Sequence, residues 1–148
     1  MIDKGTLQGL NERLGELEEI VGAKSITLVK TNGLYVAGKI PEGVHKETYA
    51  AQAAIAYGAG KVIGEEIKKK GDGVLLNYTD ETTEDFIYIC GQGNAVLVAR
   101  LGEDGDSDFD TKLKEAAMDF GRLIFYDEQK TEQKAADDKA QKPAEKKE

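Results

Sequence analysis

The sequence predicts a mixed α/β (α+β) domain with the element order α-ββ-α-βββ-α. Three observations carry this reading. Apolar residues recur every three or four positions in three separate stretches, which is the pattern of helices that cover something. An Asn-Gly pair sits between two short apolar, β-rich runs, the strongest short-range sign of a hairpin. The run Ala95–Leu101 is nearly all apolar and short, as a strand covered on both faces should be.

The first helix is expected over Asp3–Val21. Leu7, Leu10, Leu14, Leu17 and Val21 fall on one face, with Glu12, Glu16 and Glu19 opposite. Gly9 and Gly15 each cost up to about 1 kcal/mol relative to Ala, and Gly22 supplies a stop. Two strands follow, Ser25–Lys30 and Leu34–Ile40. Thr31-Asn32-Gly33 between them suits a type I′ turn, and Pro41 and Gly43 end the second strand.

A long helix is expected from His45 to Lys70, and it is apolar on two faces. With Tyr49 at zero and about 100 degrees per residue, Tyr49, Ala53, Ala56, Tyr57, Gly60, Ile63, Gly64 and Ile67 cluster within about 120 degrees. Ala51, Ile55, Ala59 and Val62 form a second patch roughly opposite, and only a narrow strip with Glu47, Lys61 and Glu65 is polar. A monomer's surface helix needs one apolar stripe, to cover its own sheet; a second stripe calls for a second partner. Ala56, Gly60 and Gly64 are spaced by four, and small residues at that spacing let another backbone come close. The glycines together cost about 2–3 kcal/mol of helix propensity, which close packing must offset. The first stripe, Tyr49 through Ile67, is therefore the expected homodimer contact. The alternative is that both patches bury within one domain.

Gly71–Gly73 should break the helix. Val74–Thr79 reads as a strand, Asp80–Asp85 as a solvated acidic turn, and Phe86–Cys90 as a strand of strong β formers. Gly91-Gln92-Gly93-Asn94 is a turn before Ala95–Leu101, and Gly102–Asp106 is a loop. Ser107 or Asp108 should cap a last helix whose apolar face is Phe109, Leu113, Ala116, Phe120, Leu123 and Ile124. From Glu128 the composition changes: Gln129–Glu148 holds no aromatic or large aliphatic residue, and Lys alternates with Asp and Glu. Such a segment buries too little apolar surface to offset its ordering entropy. The expected organisation is a domain over residues 1–127 and a charged, disordered tail over 128–148, with helix near its start and a charged arm for partner steering as the alternatives.

Composition narrows the function classes. The chain has 148 residues, enough for one real core. A net charge of −8 argues against nucleic acid, which calls for clustered Lys and Arg. No apolar run reaches the roughly 20 residues of a membrane span. The single cysteine, Cys90, permits no internal disulfide and fits a reducing compartment. Met1-Ile2-Asp3-Lys4-Gly5 does not read as a signal peptide, so the expected location is cytoplasmic.

No motif makes a convincing catalytic or cofactor site. Gly33–Lys39 has P-loop spacing, G-x-x-x-x-G-K. However, Ile40 stands where Mg²⁺ needs a hydroxyl, and the segment lies on a strand whose N–H groups are engaged in a ladder. Gly91-Gln92-Gly93 begins like a dinucleotide fingerprint, yet it lacks the third glycine and opens a strand. His45 is the sole histidine, so no His/Cys zinc cluster exists, and a His45–Cys90 nucleophile pair has no local signature. A loop histidine and a small buried residue are the simpler readings. Asp80–Asp85 does not match the spacing of a calcium loop. The expected metal, cofactor and catalytic sets are empty.

Taken together, the segments resemble the roadblock / dynein light chain superfamily, and within it the prokaryotic MglB-like proteins. The likeness rests on Leu10, Leu14 and Leu17 leading into Gly22-Ala23-Lys24-Ser25, and on the hairpin Leu28–Gly38 with Leu34-Tyr35-Val36-Ala37 after its turn. It rests also on Tyr49–Ala54 and on Ala95-Val96-Leu97-Val98-Ala99 before a Leu-Gly loop and a closing helix. It covers about residues 4 to 126; Lys30-Thr31-Asn32 departs from the usual Asp after the first strand. The resemblance implies a five-stranded antiparallel sheet, with the long middle helix on one face and the two terminal helices on the other. It implies a homodimer joined through the middle helices and an edge strand. It also implies a non-catalytic platform for a small Ras-like GTPase. A scaffold subunit of a larger complex, binding other roadblock-type subunits, and a small-molecule sensor are the alternatives. Arginine is scarce, with Arg13, Arg100 and Arg122 in helices or at a strand end, so any effect on GTP hydrolysis should come from repositioning the GTPase's own groups.

Overall fold

The structure is a computed structural model that describes residues 4–71, 73–79 and 83–145. The elements are α1 (Lys4–Val21), β1 (Ala23–Lys30), β2 (Tyr35–Gly38), α2 (Lys46–Glu66), β3 (Gly73–Thr79), β4 (Glu84–Gln92), β5 (Ala95–Leu101) and α3 (Phe109–Glu145). The five strands form one antiparallel sheet in the order β2-β1-β5-β4-β3. β5 is thus central, as its apolar run predicts, and β3 is an edge.

Strand alternation divides the core into two layers. Ala95, Leu97, Ala99 and Leu101 of β5 face α1 and α3, where they join Ile26, Leu28, Tyr88, Cys90, Leu10, Leu14, Leu113 and Phe120. Val96 and Val98 face the other way and pack under α2 with Val29 and Ile89. The expected sandwich is present, with α2 on one face of the sheet and α1 and α3 on the other.

Several local expectations change. The Thr31–Leu34 connection is not a type I′ turn. Gly33 has φ +92, but Asn32 does not share a positive φ. Asn32 instead accepts the Leu34 N–H through its side chain at 3.1 Å. β2 ends at Gly38 rather than Ile40. Gly38 (φ +99) lies so close to β1 that a Cβ would collide with the Ile26 carbonyl. α2 stops at Glu66, earlier than the expected Lys70, because Lys68 turns into the left-handed region (φ 56) and Lys69 N–H closes back on the Gly64 carbonyl at 2.8 Å. α3 begins at Phe109, directly after the expected cap residue Asp108, whose carbonyl accepts the Lys112 N–H at 3.2 Å; the Asp106 carboxylate, just ahead of it, accepts the Asp108 N–H and pairs with Lys112.

α3 does not end where the composition changes. It runs for 37 residues to Glu145. Ala, Lys, Glu and Gln are good helix formers, so low apolar content removes packing without removing the local preference. Beyond Tyr126, every residue whose side chain is described is exposed except Glu128. Glu128 ties the helix to the sheet through Lys30 at 3.1 Å and Asn94 at 3.1 Å. Residues 146–148 of the expected tail lie outside the described residues, as do Asp72 and Asp80, Glu81 and Thr82 of the acidic turn.

Candidate functional site on the middle helix

α2 has two apolar faces, and the sheet takes one of them. Ala50, Ala53, Tyr57 and Gly64 are buried, and Tyr49 and Ala56 pack part-buried against the same cluster of sheet residues. Gly60 rides over β3, where a Cβ would overlap Val74. Gly64 meets the returning chain, with a would-be Cβ 2.9 Å from Gly71 N and 3.1 Å from Lys69 O. The close approach foretold by Ala56, Gly60 and Gly64 is therefore made by this chain's own β3 and α2–β3 connection. Of the eight residues expected in a dimer contact, Tyr49, Ala53, Ala56, Tyr57, Gly60 and Gly64 face their own domain. Ile63 and Ile67 remain 63% and 65% exposed. Periodicity could not choose between two apolar stripes of similar width; the sheet's position does.

The opposite stripe is left bare from Ile55 onward, while Ala51 at its start is part-buried beside Gly33. Ile55 and Val62 are 65% and 58% exposed, and Ala59 between them is exposed too. With Ile63 they make a ridge along α2. Where Gln52 and Ala56 flank that ridge, a groove of about 650 Å³ opens beside it, floored by Leu76, Ile87, Ile89 and Val98. Tyr78, half exposed on the edge strand β3, forms its far wall.

Charged groups sit at one end of the groove. Asp85 lies on β4 and is buried; the sequence reading assigned it to a solvated turn. Its carboxylate accepts hydrogen bonds from Lys24 Nζ at 2.6 Å and from Arg100 Nε and Nη2 at 2.9 and 2.5 Å. These two cations hold its carboxyl below the usual carboxylate range. The only hint in sequence was alternation: Asp85 precedes Phe86-Ile87-Tyr88-Ile89 without a glycine or proline between. Nearby, the Tyr49 hydroxyl is buried with no hydrogen-bond partner among the described residues, and burial pushes its ionisation up to about 12. The Pro41–His45 loop closes this end, and His45 Nδ1 lies 3.2 Å from Thr48 Oγ1 at the start of α2.

The remaining candidates stay apart. Gly33–Lys39 runs through β2; Gly38 N–H donates to Asn11 Oδ1 at 2.9 Å and Lys39 N–H to Ile26 O at 3.0 Å, so neither is free for phosphate. Gly93–Asn94 is the β4–β5 turn. Cys90 is buried in the layer under α1 and α3, away from the exposed His45, and burial pushes its thiol up to about 12. Arg13 pairs with Asp119 at 3.7 Å and lies over the Phe120 ring; Arg122 pairs with Asp119 at 3.9 Å. Among the described residues no cluster of His, Cys, Asp or Glu could hold a metal, and no helix is long and apolar enough to cross a membrane.

No protein-family model and no curated protein matches this sequence. Solved structures do match its architecture. The element order, the strand order and the lone α2 on one face define a roadblock, MglB-like fold. Myxococcus xanthus MglB superposes with a TM-score of 0.66 at 18% identity, over 85% of this chain and 94% of that one. An MglB structure with a tetrameric arrangement gives 0.69 at 18% identity, over 83% and 93%. A Roadblock/LC7 domain protein from Streptomyces avermitilis gives 0.63 at 13% identity, over 78% and 97%.

Proposed function

We propose that this chain is a non-catalytic, homodimeric platform that binds a small Ras-like GTPase and regulates its nucleotide cycle. One observation supports it above others: α2 keeps a ridge of Ile55, Val62 and Ile63 that is 58–65% exposed among the described residues. Exposed apolar surface of this kind is a common mark of a protein contact or a ligand groove. The fold shared with MglB structures, one of them in a tetrameric arrangement, agrees with self-association, and the roadblock resemblance adds the GTPase. Arg100 is held by Asp85, and Arg13 and Arg122 lie on helices beside the same Asp119 rather than on a projecting loop; in this reading regulation works through the GTPase's own groups, without an arginine supplied in trans.

The test is a binding assay between the purified full chain and each small Ras-like GTPase of the source organism, loaded with GDP or with a non-hydrolysable GTP analogue. Retention of one of them in a nucleotide-dependent way is the expected result. Failure of every one, in both states, would leave the structural-adaptor reading in its place. The groove of about 650 Å³ favours a second reading, a sensor of a small apolar molecule, since it falls within the usual range of ligand sites.

A further inference from the structure

We infer that the groove beside α2 is a site for a free monocarboxylate with an unbranched apolar tail, the tail lying over the sheet and the carboxylate against Arg100. The inference rests on the reading of this groove as a ligand site and is independent of the GTPase. It adds the class of ligand and the direction in which it lies.

The groove has an apolar floor and a polar end. Leu76, Ile87, Ile89 and Val98 make the floor, and Asp85 and Arg100 stand at the polar end with Tyr49. Asp85, Ile87 and Ile89 are alternate residues of β4 and share its groove face. From Asp85 to Ile89 is about 13 Å along the strand, the length of an extended chain of about ten carbons.

The polar end is rich in donors. Arg100 spends Nε and Nη2 on Asp85, and its Nη1 has no partner among the described residues. The Tyr49 hydroxyl is unpaired among them too, and it lies close enough to Arg100 for that charge to act on it. Both oxygens of Asp85 are already taken, one by Lys24 and one by Arg100. Donors left over call for a ligand oxygen that accepts. A buried hydroxyl without a partner also costs stability, which such an oxygen offsets. The hydroxyl is screened from solvent, so seating the head group displaces the Pro41–His45 loop, exposed from Glu42 to His45, that closes this end.

Charge selects a monoanion. Lys24 and Arg100 bring two positive charges to the single negative charge of Asp85, so one positive charge is left over. A carboxylate balances it, whereas a phosphate dianion exceeds it. A planar carboxylate also suits a guanidinium edge. Glu42, the other acid on the lining, is exposed at the rim, where water weakens its field.

Titration calorimetry of the full chain with decanoate, decanol and decyltrimethylammonium, each below its micelle concentration, tests this. Decanoate should bind once per chain and about tenfold or more tighter than decanol, as hydrogen bonds to a charged group imply. The ammonium should bind more weakly than either. Gln52→Trp sets a ring over the groove from an exposed position on α2; it should abolish decanoate binding and leave the circular dichroism unchanged. Tyr49→Phe should raise the melting temperature of the chain alone, by removing the unpaired hydroxyl, and yet weaken decanoate several-fold. A purely structural role would not move these two readouts in opposite ways. Decanol binding as tightly as decanoate overturns the carboxylate and leaves an apolar site. Decanoate binding unaffected by Gln52→Trp overturns the location. Ile63→Glu changes the outer ridge without touching the groove lining. No decanoate binding to the native chain or to Ile63→Glu overturns the site altogether. Binding to Ile63→Glu alone overturns it for the native chain, whose groove a second copy would then cover. None of these results decides the GTPase assay, which is run without added carboxylate.

Discussion

Arg100 on β5 grips Asp85 on β4 with two hydrogen bonds to one oxygen, Nε and Nη2 both donating to Oδ2, at 2.9 and 2.5 Å. Lys24 from β1 takes the other oxygen at 2.6 Å. The Asp85 side chain is only 12% exposed, so this carboxylate is stable there because it is charged and doubly paired. Three strands that are not all neighbours are joined by one side chain at the mouth of the α2 groove.

Asp85→Asn should therefore lower stability by about 2 kcal/mol at neutral pH, by stranding two cations around a neutral amide. Chemical denaturation of both proteins measures it. The paired carboxyl titrates lower in the folded than in the unfolded chain. Its contribution is thus complete above the usual aspartate range near pH ~4 and is lost as pH falls through the lower, folded value. The difference between native and variant should shrink on acidification; a gap that widened below pH ~4 would contradict the pairing.

Gly60→Leu should destabilise the protomer itself. The new side chain meets Val74 across the α2–β3 contact, and overpacking of this kind costs about 1–3 kcal/mol or more. Thermal melts should show the loss equally in the native chain and in an Ile63→Glu background. A loss seen only in the native background would return Gly60 to a contact between copies.

Cys90 should resist thiol reagents in the folded protein. It is buried, and its thiol ionises only near 12, so almost no thiolate exists at neutral pH. Ellman's reagent should find no reactive thiol in native buffer and one per chain in denaturant. Rapid native labelling would show that the layer under α1 and α3 opens readily.

Ending the chain after Glu128 should leave the fold intact, with a melting temperature within a few degrees of the full chain. The helix beyond that point packs on nothing among the described residues, while Glu128 keeps its links to Lys30 and Asn94. Loss of cooperative melting would show that the charged half of α3 contributes to the domain.

Much of the architecture was readable in residue order. Leu10, Leu14 and Val21 recur at the helix period and sit in the core; Ala95–Leu101 reads as a central strand and lies between β1 and β4. These features are local, since periodicity and turn chemistry act over a few residues. The site was legible only in part. That α2 carries too much apolar surface for one partner is visible from its composition, yet periodicity does not say which stripe the sheet takes; Ala53 and Tyr57 of the first stripe pack on this chain's own sheet. Glycines spaced by four announce close approach without saying to what. Asp85 was hidden because an acidic residue after a polar turn looks solvated until Lys24 and Arg100 arrive from strands far away in sequence.

By itself, then, the order of residues determined which segments up to Tyr126 are helix or strand, though not that α3 runs on to Glu145, and it determined that β5 is interior and that the middle helix has surplus apolar surface. Tertiary structure alone decided which face of that helix is spent on its own sheet, leaving Ile55, Ala59, Val62 and Ile63 to solvent. It also placed one buried carboxylate between two cations. The reason is that both outcomes depend on groups brought together from separate strands, and such meetings are set by the whole sheet rather than by any window of sequence.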